Sequence, residues 1–213
     1  MARWGCAAVI EFDEPSHTYK LDGVIIPSVT QIMALSGAGV PSGPTHAIAN
    51  AGKRGTWVHH ACALIDLGEP QPEPSEEYLP YVRAYEHWAR DSCRVVVSTE
   101  VPMGCEELGY AGTPDLVCMV GGKRWLIDRK SSHAVHKDVP VQLCAYQLLW
   151  EHEHPDDPIA RIGALHLRKN GKYKLHEYRY DEHAGRWFDA LNTWYDSPVA
   201  PIIDYSEYAY AME

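Results

Sequence analysis

Apolar and polar positions alternate with two different periods along this chain. Residues 7–30 alternate with period two in AAVIEF, HTYKLDG and VIIPSVT, and Asp22-Gly23 is a turn signal between the last two. The pattern predicts an N-terminal β-hairpin. Ser28 or Thr30 can cap a short helix over QIMALSG, and the Gly- and Pro-rich segment 37–46 reads as a loop. Helical spacing returns over 45–67, with Ile48, Trp57, Val58, Ala61, Leu64 and Ile65 in phase and Gly68 as its end. An acidic, Pro-rich connection spans 69–77. A second helix over 78–92 puts Tyr81, Tyr85 and Trp88 on one side.

The period then shortens. Strands are predicted over 94–103, 108–120 and 123–132, the last two joined by a Gly121-Gly122 turn. A helix over 139–154 ends before Pro155 and Pro158. The runs 160–170 and 172–180 form a second hairpin, for which Asn170-Gly171 signals a two-residue I′ turn. A last amphipathic helix covers 181–197, ahead of a Pro- and Tyr-rich tail. This order predicts one α/β domain over 1–213, with a hairpin at 7–30, a core at about 45–196 and a tail at 197–213. Its architecture is a central mixed β-sheet flanked by α-helices.

Composition narrows the classes. Among 213 residues, 29 Asp+Glu outweigh 19 Lys+Arg, giving a net charge of -10. That balance argues against nucleic acid or an anionic membrane being bound over the whole surface. No window approaches the roughly 18 uncharged apolar residues of a membrane span. Acidic residues follow the short apolar start at once, so no signal peptide is read and a cytoplasmic location is expected. Cysteines at 6, 62, 93, 105, 118 and 144 include no C-x-x-C pair, and most of them read as buried small hydrophobes in a reducing compartment.

The chemistry concentrates in Thr113-Pro114-Asp115 and Ile127-Asp128-Arg129-Lys130. Asp128 and Lys130, two apart on a predicted strand, share a face. Charges on a strand inside a sheet are costly unless paired or used. Asp115 lies on the neighbouring strand, folded back by the Gly121-Gly122 turn. Two carboxylates therefore converge beside a lysine, a set of hard donors suited to Mg²⁺ or Mn²⁺. A structural Asp–Lys pair with Asp115 in a Pro-Asp turn is the alternative.

Further residues extend the pattern. Gly55-Thr56-Trp57-Val58-His59 lies in the first long helix, Glu100 closes the first strand of the meander, and Gln142 and Tyr146 share a helical face four residues apart. The ordered set G-x-x-x-H, E, G-x-P-D, D-x-K and Q-x-x-x-Y, over roughly 52–150, resembles the PD-(D/E)XK nuclease superfamily. The branch it resembles holds the RecB nuclease domain and phage lambda-type exonucleases. HTYKLDGVIIPSVTQIM also looks like the start of phage-encoded proteins of that branch.

The resemblance implies a restriction-endonuclease-like core and a DNA nuclease using one or two Mg²⁺ or Mn²⁺ ions. It implies that Asp115, Asp128, His59 and the backbone carbonyl of Arg129 ligate metal. Glu100 would help a second metal or orient a water. Lys130 would position or deprotonate the attacking water. Gln142 and Tyr146 would contact DNA near the scissile phosphate, with Arg54, Arg168 and Lys169 as further DNA contacts. No cysteine follows Cys144, so the iron–sulfur cluster of some relatives is not expected.

Other signals carry less. AIANAGKR lacks the first Gly and the final Ser/Thr of a P-loop. His60 points about 100° from His59 on a helix. His133, His136, His152 and His154 have no cysteine partner at useful spacing and read as solvated or DNA-proximal. Segments 121–137 and 161–179 are locally basic, either solvated surface or a groove for phosphates. The expected activity is a deoxyribonuclease, with an exonuclease in phage-type recombination or repair favoured. The alternatives are an endonuclease, or a DNA-binding or assembly protein with little activity. The expected partners are linear or broken DNA ends, a recombinase or annealing protein, or further copies of the chain, with no membrane.

Overall fold

The structure, a computed structural model, describes residues 9–14, 16–38, 45–73 and 75–198. Cys6, the start of the first predicted strand, most of the 37–46 loop and the tail from 199 lie outside these residues.

Three short strands, β1 (Ile10–Asp13), β2 (Thr18–Leu21) and β3 (Val24–Ile26), form an antiparallel sheet in sequence order. Asp22 and Gly23 both hold positive φ, 49° and 79°, as the I′ turn between β2 and β3 requires. Helix α1 (Val29–Leu35) begins with a capping box. Ser28 Oγ accepts from Gln31 N, and the Gln31 side chain accepts from Ser28 N. Helix α2 (Thr45–Leu67) ends at Gly68, φ 70°, where Gly68 N donates to Ile65 O and Glu69 N to Leu64 O. These two bonds satisfy carbonyls the helix end would leave bare. Helix α3 is Leu79–Ser92.

Two of the predicted strands each split in two. The stretch 94–103 becomes β4 (Val95–Thr99) and β5 (Met103–Cys105), and 108–120 becomes β6 (Tyr110–Gly112) and β7 (Leu116–Val120). Glu100 breaks the first with a φ of 50°, and Pro102 and Pro114 lack the N–H that a continuous ladder needs. The freed halves β5 and β6 pair with each other as a separate two-stranded sheet. Asp115 therefore sits in the turn before β7 and not within a strand.

The main sheet has the order β10-β9-β8-β7-β4. Strand β8 (Lys123–Lys130) runs antiparallel to β7 and parallel to β9 (Arg161–Leu167), and β10 (Tyr173–Tyr178) is antiparallel to β9. Helix α4 (Val139–Glu153) makes the crossover between the parallel pair, and α5 (Tyr180–Asp196) ends the described fold. The expected mixed sheet flanked by helices is thus present. The β9–β10 connection differs from the two-residue turn expected of Asn170-Gly171. Arg168 N donates to Lys172 O, and Gly171 alone of the connection has a positive φ, 75°. The result is a three-residue turn with glycine in the left-handed position.

Period-two alternation sorts the sheet's side chains to two cores. Leu126, Ile162, Ala164 and Val117 pack with α1, α4 and α5, whereas Ile127, Leu165, Leu116 and Cys118 pack with α2 and α3. Cys62, Cys105, Cys118 and Cys144 are buried free thiols, as expected, while Cys93 is exposed. Among the described residues, no helix is long and apolar enough to cross a membrane.

Candidate metal centre

Strand register builds the site. Thr99 pairs with Leu116 and Leu116 with Ile127, so the next residues along, Glu100, Asp115 and Asp128, form one row at the ends of β4, β7 and β8. Glu100 N donates to Asp115 O at 3.2 Å, which holds the row together. His59 reaches it from α2. Its Nδ1 lies 3.4 Å from Asp115 Oδ1 and 3.9 Å from Glu100 Oε1. The ligand atoms of His59, Glu100 and Asp115 all fall within 4.8 Å of one another.

Asp128, expected among the ligands, is 2% exposed, and its Oδ1 is 3.2 Å from Lys130 Nζ. Same-face alternation thus brings the two together as expected. Lys130 Nζ also donates to Gln142 Oε1 at 3.4 Å, and Gln142 Nε2 donates to the Tyr146 hydroxyl at 3.0 Å. Tyr146 is buried, and its hydroxyl faces Gln142 inside the protein.

Burial and neighbouring charge set the protonation of this cluster. Burial pulls the His59 pKa down, but the Asp115 and Glu100 carboxylates outweigh it and hold the imidazole at about 9. Burial alone would raise Asp115, yet His59, Arg129 and Lys130 bring it down to about 2. Asp128 goes the other way, to about 6, because burial and the Asp115 charge exceed the pull of Lys130. Asp128 Oδ2 and His59 Nε2 are buried without a hydrogen-bond partner. Orphaned polar atoms beside three converging ligand groups, all carboxylate oxygen and imidazole nitrogen, fit a divalent cation.

Arg129 matters here through its side chain. The guanidinium points to the opposite face from Asp128 and Lys130, is 0% exposed, and lies 5.1 Å over the Tyr85 ring. It donates to Asp66 Oδ2, to Thr99 Oγ1 at 3.0 Å, to Asp115 O at 3.0 Å and to Glu100 Oε1 at 3.2 Å. Its backbone N donates to Asp115 Oδ2. One arginine therefore braces both Glu100 and Asp115 from beneath. Asp66, its side chain fully buried, also pairs with Arg94 and accepts from the Tyr85 hydroxyl at 2.6 Å. Sequence reading missed Asp66, Arg94 and Thr99. The available signal was spacing: Asp66 lies seven residues, about two helical turns, after His59 and so shares its face.

The remaining expected residues lie apart from the centre. The Arg54 guanidinium sits over the Tyr81 ring at 5.5 Å. Arg168 and Lys169 are at the β9–β10 turn, half-buried and exposed respectively. Several basic residues of the flanking segments are spent on surface ion pairs, Arg124 with Asp157, Arg161 with Glu177 and Arg179 with Asp181. Lys130, paired with Asp128, lies in register with His166, which is buried with Nε2 2.9 Å from Ser132 O, and with the exposed Lys174 across β8, β9 and β10.

This is a mixed α/β fold with a partly buried acidic and imidazole centre at the β4–β7–β8 side of its sheet. It is similar to a solved structure from Eubacterium rectale, provisionally named an exonuclease, with a TM-score of 0.55 and 12% identity over 85% of this chain and 82% of that one. No family model matches the chain, and no curated protein matches it.

Proposed function

We propose that this protein is a divalent-metal-dependent deoxyribonuclease of the PD-(D/E)XK type, acting on linear or broken DNA ends in phage-type recombination or repair. The observation that carries this reading is the convergence of His59, Glu100 and Asp115 within 4.8 Å beside the Asp128–Lys130 pair. The likeness in fold to the Eubacterium rectale protein supports it. His59, Glu100 and Asp115 would hold the cation, with Asp128 in the same row.

A bound Mg²⁺ or Mn²⁺ supplies the positive charge that stabilises phosphodiester hydrolysis. Lys130 presents its ammonium next to that centre, where it can hold a water or a phosphate oxygen by a charge-assisted hydrogen bond. Gln142 fixes the direction of Lys130, and Tyr146 fixes Gln142. Arg129 keeps Glu100 and Asp115 from turning away when their counter-charge is absent. Beyond Lys130, the exposed Lys174 and Lys169 with the half-buried Arg168, on the β9–β10 hairpin, are suited to a phosphate backbone. A substrate gripped along one basic hairpin is compatible with the acidic total.

The test compares end-labelled linear DNA with closed circular DNA in Mg²⁺, Mn²⁺ or EDTA. Metal-dependent loss of linear DNA alone is expected. Nicked circles would make the protein an endonuclease. Inertness of wild type with every metal, with DNA still shifted on a gel, would make it a binding protein.

A further inference from the structure

A second group of metal-ligating side chains lies outside the site described above. Cys105 at the end of β5, Glu107 in the β5–β6 turn and His152 in the last turn of α4 offer ligand atoms that all lie within 4.8 Å of one another. His152 Nδ1 is 3.7 Å from Glu107 Oε2. His152 is ten residues beyond Gln142 on α4. A helix rises about 1.5 Å per residue, so His152 lies roughly 15 Å along it from Gln142.

The chemistry of this group differs from that of the first. The Cys105 residue is 1% exposed, but its sulfur accepts a hydrogen bond from Leu108 N at 3.4 Å instead of being enclosed by apolar atoms alone. The turn that aims this amide at the sulfur closes with Gly109 N donating to Cys105 O at 2.7 Å and with Gly109 at a φ of 62°. Amide donors of this kind stabilise a thiolate. Glu107 and His152 are exposed above the sulfur, so an ion can arrive without opening the core. The carbonyl end of α4 carries partial negative charge, and Glu153 approaches from the same end, its Oε1 accepting from Gly104 N at 3.0 Å.

We propose that Cys105, Glu107 and His152 form a site for a thiophilic divalent cation, Zn²⁺ by its chemistry, with water completing four-coordination. A thiolate, an imidazole and a carboxylate suit zinc and disfavour the hard cations that fit the first centre. Such an ion staples the β5–β6 turn to the end of α4, the helix that carries Gln142 and Tyr146. This assignment is independent of the nuclease reading.

The test uses Co²⁺ as a spectroscopic probe. The full-length, reduced, chelator-treated protein is titrated with Co²⁺. The expected result is one equivalent giving a near-ultraviolet thiolate-to-cobalt charge-transfer band, bleached by one equivalent of Zn²⁺. Cys105→Ser abolishes the band. His152→Ala, at an exposed position that leaves folding intact, weakens Co²⁺ binding tenfold or more. Asp115→Asn removes a ligand of the first centre, whose ligand group holds no cysteine, and leaves the band. No band in wild type overturns the proposal, and so does a band that survives Cys105→Ser or is indifferent to His152→Ala. Loss of nuclease activity with the band intact, or the reverse, separates failure at one centre from failure at the other.

Discussion

Arg129→Met removes a buried charge while keeping most of the side chain's volume. The wild-type guanidinium meets Asp66, Thr99, Asp115 O and Glu100, and is itself 0% exposed. Removing one member of a buried ion pair costs about 3–5 kcal/mol. Asp66 retains Arg94 and the Tyr85 hydroxyl, which favours the lower end. The Thr99 hydroxyl and the Asp115 carbonyl lose a donor each, but the carbonyl keeps those of Glu100 N and Thr99 Oγ1, so this loss costs less than the roughly 1–3 kcal/mol of an unpaired buried acceptor. Glu100, about one-third exposed, adds little. These terms overlap, so the net expectation is about 4 kcal/mol, a large part of the roughly 5–15 kcal/mol that holds a domain. Urea unfolding of wild type, Arg129→Met, Asp66→Asn and the double variant measures it. Because both partners belong to one network, the double variant is expected to cost about 2–3 kcal/mol less than the sum of the singles. A cost below about 1 kcal/mol for Arg129→Met, or strict additivity in the cycle, would refute the bracing role.

Further outcomes follow from the same geometry. The folded His59 pKa of about 9, against an ordinary 6.5, means metal-free protein gains stability from the protonated ring. That gain is complete below 6.5 and is lost as pH rises through 9. It is worth at most about 3–4 kcal/mol at 1.4 kcal/mol per unit, and thermal unfolding of His59→Ala is expected to lack it. The same proton must leave before a cation binds, so Mn²⁺ affinity is expected to rise up to about tenfold per pH unit from 7 to 9 and then flatten; calorimetry showing no rise would sink this. Gly112→Ala puts a Cβ 2.5 Å from Tyr146 Cε1 and 3.1 Å from Val29 Cγ2. Overpacking of about 1–3 kcal/mol in urea unfolding is expected, with slower turnover as Tyr146 and Gln142 shift. Ser28→Ala loses the capping box and about 1 kcal/mol of stability by the same measurement, with turnover unchanged.

Most of the architecture was legible because the signals were local. The Asp22-Gly23 and Gly121-Gly122 turns, the Ser28 cap and the Gly68 stop each rest on backbone chemistry within a few residues. Same-face spacing was enough to pair Asp128 with Lys130 and Gln142 with Tyr146. The splitting of 94–103 and 108–120 was not read, although Pro102 and Pro114 announced it, because the apolar alternation continues across both breaks. The Asn170-Gly171 connection misled because its dipeptide fits a two-residue turn, whereas the observed register places the turn across Lys169, Asn170 and Gly171. Two features depend on contacts between distant segments and so left no local mark. One is the position of His59 over Glu100 and Asp115. The other is the brace of Arg129 against Asp66, which joins α2 to β8. The glycine of G-x-P-D now has a physical reason, since the Tyr146 ring occupies the space of its missing Cβ.

The central claim is that one set of residues holds a divalent cation and a neighbouring lysine turns it to phosphodiester hydrolysis. The most direct measurement follows Mn²⁺ binding by calorimetry and cleavage of end-labelled linear DNA on the same preparations of wild type, Asp115→Asn and Lys130→Met. Wild type is expected to bind and cleave, Asp115→Asn to lose both, and Lys130→Met to bind Mn²⁺ yet cleave at least a hundredfold more slowly. Cleavage by Lys130→Met at the wild-type rate, or undiminished Mn²⁺ binding by Asp115→Asn, would contradict the account.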